Sequence, residues 1–546
     1  MFTIDQSVEA GAASADSPAA KLQQEGVSDR AFSRGSAADA APVPPVMRKL
    51  PPTPFGVRVQ RITQEAEAAG ETFRGWEERD VDELLIDISD TIVRAAKDLA
   101  RRTVIETRMG NADDKAAKNV FASHEVCRSL IGRPAAGTLS YDRHTGIVET
   151  ASPVGVIFGL IPVTNPVATI AFKTLIALKG RNALILSCHH RAHNVGVHAA
   201  ELIRDALRRR GAPVGLLQCI ERCNRATTMR FMRHPRVSMI LATGSAGLVK
   251  AAYSSGKPAI GVGPGNAPAL ICADADVAAA AKSVVESKAF DNGVICGSEN
   301  NLVVDTAVRT AFITALRAAG AAVLSSAETA AFTARAFDLS TGRLHRDLVG
   351  QSAPEILAAT GIPRDTSVRL LVAPLPIAAA RGPWGLEKLA PVLSMFDTEG
   401  AAAGIALCQK LLARNGIGHT AVIHTQSESL ARRFGDQISA SRIIVNSASA
   451  QGCIGIGNAL PPSLTLGCGT WAGTSTTDNI TYTHLLNIKR VVFSRDVAER
   501  PASGKLRPGS PSAPTKRLNA LVRGFAPIHT GTLRQSLARG PGSLKP

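Results

Sequence analysis

The hydrophobic pattern changes period along the chain. From about residue 80, VDELLIDISDTIVRAAKDLA sets Val81, Leu84, Leu85, Ile88, Ile92 and Val93 on one stripe at three- and four-residue spacing, which predicts an amphipathic helix. From about 150 the pattern shifts to short β-branched runs between helical stretches. PVGVIFGLIPV reads as a buried strand, NPVATIAFKTLIALKG as a helix closed by Gly180, and NALILS as a strand. VGVHAAELIRDALRRRG reads as a helix ending in basic residues and Gly211, as the helix dipole and C-cap favour. VSMILATGS, AGLVKAAYSSG and APALICA continue the series as strand, helix and strand. Such alternation builds a parallel sheet covered by helices on both faces, with ligands at the carboxyl ends of its strands. A second alternating region follows Cys296: NLVVD, a helix near 306–318, VRLLVAP, a helix near 399–414, HTAVIHT and RIIVNS. The thiol is then expected where two α/β regions meet.

The ends differ from this middle. Residues 1–50 are rich in Ala, Ser, Pro and Gly, with too few large apolar groups for a core, and read as disordered. Residues 495–546 hold ten Lys and Arg against two acids, so nearly half of the +17 net charge is an exposed tail without interleaved aromatics. That arrangement gives nucleic-acid recognition little support. No run of about 18 apolar residues predicts a membrane span, and no basic start followed by an apolar run opens the chain, so a cytoplasmic protein is expected. At 546 residues, more than one core is expected. The nine cysteines form no C-x-x-C pair, which speaks against a zinc site or a disulfide framework.

Two segments carry candidate chemistry. At Thr243, Gly244 and Ser245 an apolar strand runs straight into a helix, whose free N–H groups suit a pyrophosphate, although Thr and Ser are also ordinary helix caps and no G-x-G-x-x-G is present. In DNGVICGSEN, Cys296 follows an apolar pair, a setting in which cysteine is more often core than reagent. Gly293, Gly297 and Ser298 shift that balance, because they allow a ligand close approach to sulfur.

Taken together, ETRMGNADDKAAKNVFASHEVC, ASPVGVIFGLIPVTNPVATIAFKTLIALKGRNALILS, ILATGSAGLVKAAYSSGKPAIGVGPGNAPALI, FDNGVICGSENNLVV, EKLAPVLSMF, NGIGHTAVIHT and PPSLTLGCGTWAG resemble, in this order from about 75 to 495, the CoA-acylating branch of the aldehyde dehydrogenase superfamily. The likeness is to the aldehyde dehydrogenase half of the bifunctional aldehyde-alcohol dehydrogenases and to related acetaldehyde and sulfoacetaldehyde dehydrogenases. The resemblance implies an α/β fold with a Rossmann-like NAD(P)-binding domain over 51–288 that includes N-terminal helices. A catalytic thiol domain over 289–470, a return and oligomerisation strand over 471–495 and a basic tail over 496–546 complete it. It makes Cys296 the nucleophile that forms an acyl thioester, with its backbone N–H and an amide from Asn165 holding the oxyanion. Hydrolytic relatives place that Asn one position earlier, so Thr164 is able to share or replace the role. Thr243, Gly244 and Ser245 match the pyrophosphate segment and Glu387 the nicotinamide-ribose acid. Ser187 stands where many relatives have a Lys for the adenosine ribose, and Cys188 and His190 replace expected prolines, which leaves NAD or NADP open. Arg191 is a possible 2′-phosphate partner or an ordinary exposed Arg, His419 a proton relay or a turn support, and Lys173 a family position with a surface or structural role.

The position of the water-activating Glu of hydrolytic relatives holds Gly261, in GVGPGNAP. Without a general base, water loses roughly 10²- to 10⁴-fold of help, and a thiol needs less. An aldehyde, coenzyme A and NAD(P)⁺ are therefore the expected reactants, with a homodimer or homotetramer as the assembly and neither metal, membrane nor specific nucleic acid as partner. The alternatives are a hydrolytic or phosphate-dependent semialdehyde dehydrogenase, and a non-catalytic scaffold or cargo protein acting through its tails. Acetaldehyde, propionaldehyde, succinate semialdehyde and sulfoacetaldehyde stay open as substrates.

Overall fold

A computed structural model describes residues 54–494 except 222, 223, 339, 365 and 366. The stretches expected to be a disordered tail at 1–50 and a basic tail at 496–546 lie outside the described residues, as does Cys223.

Two parallel sheets organise the chain. The first has five strands in the order Leu217–Cys219, Ala183–Cys188, Val156–Ile161, Val237–Thr243 and Ala259–Val262. Chain order reverses between Val156–Ile161 and Val237–Thr243, so the sheet has a switch point there, the place where an open α/β sheet opens a crevice. Strands Val156–Ile161 and Ala183–Cys188 are buried at every residue, which is why they read as continuous apolar runs rather than alternating ones. The helix Pro166–Lys179 is likewise buried throughout, because the long helix Glu78–Thr107 covers the side that would otherwise meet water. Its two lysines are satisfied internally. Lys179 Nζ reaches Asp82 Oδ1 at 2.6 Å and also Glu78, and Lys173 Nζ donates to Leu160 O and Leu241 O, both at 2.8 Å. Lys173 is thus a buried strap between the two strands at the switch point, not a surface residue. The same helix is closed by Gly180, as expected, but at a φ of −80°. Arg181 takes the left-handed conformation instead, and Gly180 is needed because a Cβ there would come within 2.7 Å of Asn182 Nδ2.

The second sheet has seven strands in the order Ala321–Val323, Leu370–Pro374, Val392–Thr398, Glu299–Asp305, Ala267–Ile271, Gly418–His424 and Ala440–Val445. This corrects one expectation. APALICA does not close the first sheet; it crosses over and sits at the heart of the second, and the following helix Val277–Ala289 packs there too. Asn266 makes the crossing. Its Nδ2 donates to Gly385 O at 2.8 Å and Leu411 O at 2.9 Å, while its Oδ1 accepts from Asn301 Nδ2 at 3.0 Å, all groups of the second layer. Alternation alone cannot see such a crossing, since both sheets are parallel and apolar. A third, antiparallel sheet joins Gly137–Asp142, Ile147–Pro153 and Leu486–Val492. No described helix is long and apolar enough to cross a membrane.

Candidate active site

A cavity of about 1060 Å³ opens between the two sheets. Thr164, Asn165, Ser187, Thr243, Gly244, Ser245, Cys296 and Glu387 all line it, so residues separated by up to 223 positions meet in one space. On the side of the first sheet, Thr243 ends its strand and the helix Ala246–Tyr253 begins at once. Ser245 occupies the cap position, yet its side chain caps nothing. The first amide accounted for within the helix is Leu248 N, which donates to Ser245 O at 2.9 Å. The amides of Ala246 and Gly247 have no acceptor among the described residues, and a Cβ at Gly247 would meet open space. This is a cradle of backbone donors that fits a phosphate group. Arg191 takes no part, because its guanidinium donates to Thr107 O at 2.7 Å.

Cys296 lies not at a strand start, as the apolar pair before it suggests, but on the loop before Glu299–Asp305. Val294 and Ile295 are buried beneath it and its sulfur is half-buried. The flanking glycines have a steric reason: a Cβ at Gly297 would fall 2.2 Å from Cys453 Sγ, and one at Gly265 would fall 1.8 Å from Cys296 O. The backbone N–H of Cys296 donates to no protein acceptor among the described residues. His419, at the entry of Gly418–His424, is fully buried. Its Nε2 lies 3.2 Å from Cys296 Sγ and its Nδ1 2.9 Å from Thr420 Oγ1. Burial, with the Arg442 charge adding to it, holds this imidazole down to about 3, so it is neutral at physiological pH. In the tautomer whose Nδ1–H donates to Thr420 Oγ1, Nε2 is left to accept from the thiol. Burial pushes the Cys296 thiol up, and Cys453, Glu387 and Cys468 push the same way against Arg442. The pair is therefore thiol and imidazole at rest, an acid beside its base.

Thr164 and Asn165 are held from a different direction. Lys115 and Lys118 share one face of the helix Ala112–Val120. Lys115 Nζ donates to Thr164 O at 2.9 Å and to Asp291 Oδ2 at 3.0 Å; Lys118 Nζ contacts Asn165 Oδ1 and Asp291 Oδ2. Asn165 Nδ2 reaches Thr164 Oγ1 at 3.2 Å. Opposite, Glu387 Oε1 accepts from Gly265 N at 3.0 Å; burial pushes its carboxyl up to about 7, against that N–H and the charges of Lys288, Arg343 and Lys388.

Comparison with known proteins agrees with this geometry. The model of the aldehyde dehydrogenase family matches residues 56–331. The chain belongs to the aldehyde dehydrogenase family. It is 37% identical over 435 residues to a bifunctional aldehyde-alcohol dehydrogenase of Escherichia coli, an alignment that covers 79% of this chain and 49% of that one. The chain thus spans about half the length of the bifunctional relatives it matches. Among solved structures, an acetylating aldehyde dehydrogenase from Geobacillus thermoglucosidasius superposes with TM-score 0.78 at 38% identity, covering 82% of this chain and 98% of that one. A propionaldehyde dehydrogenase of Rhodopseudomonas palustris with bound propionyl-CoA superposes with TM-score 0.74 at 25% identity, covering 81% and 95%.

In this aldehyde dehydrogenase Gly261 is more than a missing carboxylate. It lies inside the strand Ala259–Val262, where a Cβ would come within 2.6 Å of Val249 and 2.9 Å of Tyr253. Its N–H donates to Tyr253 Oη at 2.9 Å, so an aromatic ring takes the space beside it. Sequence reasoning passed over Lys115, Lys118, Asp291 and Arg442. The quoted segments contain them, but lysines on a short helix read as solvent-facing until the tertiary fold buries them.

Proposed function

We propose that this enzyme is a CoA-acylating aldehyde dehydrogenase, which converts a short-chain aldehyde, CoA and NAD(P)⁺ to acyl-CoA and NAD(P)H through a thioester on Cys296. The observation that carries it is the 3.2 Å contact between Cys296 Sγ, a residue that lines the cavity, and Nε2 of the neutral, fully buried His419. His419 takes the thiol proton as sulfur attacks the aldehyde carbon, so the two raised barriers, a reluctant thiol and a reluctant imidazolium, are overcome in one transfer. The carbonyl electrons move to oxygen, where the Cys296 N–H and the Asn165 amide stabilise them, with the Thr164 hydroxyl beside them. Bound dinucleotide supplies the acceptor of the aldehyde hydrogen, which leaves with its electron pair as the oxyanion collapses to the thioester. The amides of Ala246 and Gly247, after Thr243, Gly244 and Ser245, would hold its pyrophosphate. Glu387 would hold the nicotinamide ribose, and Ser187, near the end of Ala183–Cys188 two strands away from Thr243, would meet the adenosine ribose. The proton His419 took from Cys296, the one proton the overall reaction releases, passes to solvent once the thioester has formed; neutral again, His419 removes the proton of the attacking CoA thiol and returns it to the Cys296 sulfur that CoA displaces.

The crowding at Gly261 supports CoA rather than water as acyl acceptor, because no side chain there reaches the cavity without displacing Val249 or Tyr253. The likeness to acetylating and propionyl-CoA-bound relatives supports the same choice. The five-stranded sheet with its covering helices is the dinucleotide-binding part and the seven-stranded sheet the thiol part. Val491 and Val492, 52% and 65% exposed on the strand Leu486–Val492, support an assembly of two or four copies through that sheet. The test is product analysis with each dinucleotide. Acyl-CoA is expected only with CoA present, and Cys296→Ser is expected to lose at least about 10³-fold in turnover while still binding dinucleotide. Acid formation at an undiminished rate without CoA overturns the assignment in favour of hydrolysis.

A further inference from the structure

We propose that Lys118 is a positioning residue for this reaction: by gripping the Asn165 carbonyl oxygen, it turns the amide's NH₂ group toward the site where the oxyanion forms. The inference rests on the acylation reading above and on Asn165 as an oxyanion donor.

A side-chain amide has two faces of nearly equal size, one accepting and one donating, and only its neighbours decide which way it points. An Asn at a helix start ordinarily spends its oxygen on the amides of the first turn. Asn165 occupies that position ahead of Pro166–Lys179 but makes no capping bond. Its Oδ1 is taken by Lys118, a partner that only donates, so the flip state is fixed. One N–H of Nδ2 meets Thr164 Oγ1, and the other has no acceptor among the described residues, while Asn165 itself lines the cavity. An ammonium against the amide oxygen also draws electrons from the nitrogen and makes its N–H a better donor.

Lys118 is in turn held by Asp291, a fully buried carboxylate shared with Lys115. Asp291 Oδ1 accepts from Asn111 N at 2.9 Å, and Asp291 N donates to Asp114 Oδ2 at 2.8 Å. Asp291 stands in the left-handed region at φ 47°, followed by Asn292 at 52°, so the backbone is bent to bring this carboxylate onto the lysines. It lies on the segment that continues to Cys296. One ion cluster therefore sets both oxyanion donors: Asn165 through Lys118, with the Thr164 carbonyl through Lys115, and the Cys296 N–H through the backbone that follows Asp291. Burying two ammoniums with the carboxylates of Asp291 and Asp114 is costly, and apolar side chains would fill the same volume more cheaply, which points to placement rather than stability as what the cluster provides.

The experiment is a double-mutant cycle on the full chain with Lys118→Met, Asn165→Ala and the pair, reading kcat, KM for dinucleotide and thermal midpoint. Lys118→Met is expected to lower kcat about 10- to 100-fold, below the 10²–10³ expected for losing a donor outright, with KM for dinucleotide unchanged. The double variant is expected to be no slower than Asn165→Ala alone, since a positioning residue has nothing left to position. Losses that multiply, or a Lys118→Met kcat within twofold of the parent while Asn165→Ala falls, overturn the inference. Full activity of Asn165→Ala instead overturns the oxyanion assignment on which it stands. Should Lys118→Met not fold, Lys118→Arg keeps the charge opposite Asp291 while moving the head group off Asn165, and the same non-additivity with Asn165→Ala is required of it.

Discussion

The five-stranded sheet meets the cavity with the carboxyl ends of its strands, at Ile161, Ser187, Thr243 and Val262. The seven-stranded sheet meets it with the loops that enter its strands, at Pro264, Cys296 and Glu387, while His419, the second residue of Gly418–His424, lies buried against the Cys296 sulfur. Both sheets are parallel, so the contrast is one of direction. Where strands end, helices begin, and a helix start offers backbone amides to an anion. Where strands begin, the backbone is about to be locked into a ladder, and side chains a few residues upstream, or at the strand's first residues, share that rigidity. On the proposed function the first edge would hold by main chain and the second react by side chain. A single rule, ligands at carboxyl ends, describes only half of this site.

Changes at the second edge should therefore act on turnover and changes at the first on binding. The largest effect is expected from His419→Ala, which removes the base at both proton transfers and should lower kcat by about 10²- to 10⁴-fold with dinucleotide affinity retained, measured by steady-state rates and fluorescence titration. Glu387→Gln tests a residue that sits on the second sheet yet serves binding. In the parent enzyme KM for dinucleotide should fall as pH rises through about 7, because the carboxyl ionises there and becomes the stronger acceptor for ribose hydroxyls. The Gln variant should show a raised and pH-independent KM. Gly261→Ala, on the first sheet, should cost about 1–3 kcal/mol of stability by overpacking against Val249 and Tyr253, seen in denaturant melts, with no gain in acid formation.

The smallest effect concerns the strap between Val156–Ile161 and Val237–Thr243. Burial lowers the Lys173 amine to about 7, and a neutral amine has the two protons its two carbonyl acceptors require. Between about pH 7 and the ordinary lysine value the unfolded chain holds a proton that the folded one lacks, so unfolding free energy should rise with pH across that window. Lys173→Met should flatten this rise when the two proteins are compared at pH 7 and 9. An unchanged slope would mean that the strap titrates no differently in the folded and unfolded chains.

Much of this was legible in the residues. Buried strands with period-free apolar runs and the helices between them announce an α/β protein, and TGS at 243–245 and Cys296 were visible as candidates. Their joining was not. Nothing in APALICA marks it as a strand of the other sheet, since the decision is made by Asn266 reaching groups 119 and 145 positions away. Nor does DDKAAKN reveal that both lysines are buried. Charge reads as exposure until a partner from Asp291 and a loop at Thr164 close over it, and those contacts span 47 to 176 residues. Gly261 was readable as a missing acid, but the crowding that forbids one came only from the helix packed beside it.

The passage from one sheet to the other runs through Gly263–Asn266, and the carbonyl of Cys296 rests directly on Gly265 with no room for even a methyl group between them. The reactive atom thus rides at the pivot of the two layers rather than out on a flap. Were one layer to tilt on the other about this junction, a distant rim would move far more than the sulfur, and the groups packed around Cys296 would keep their spacing.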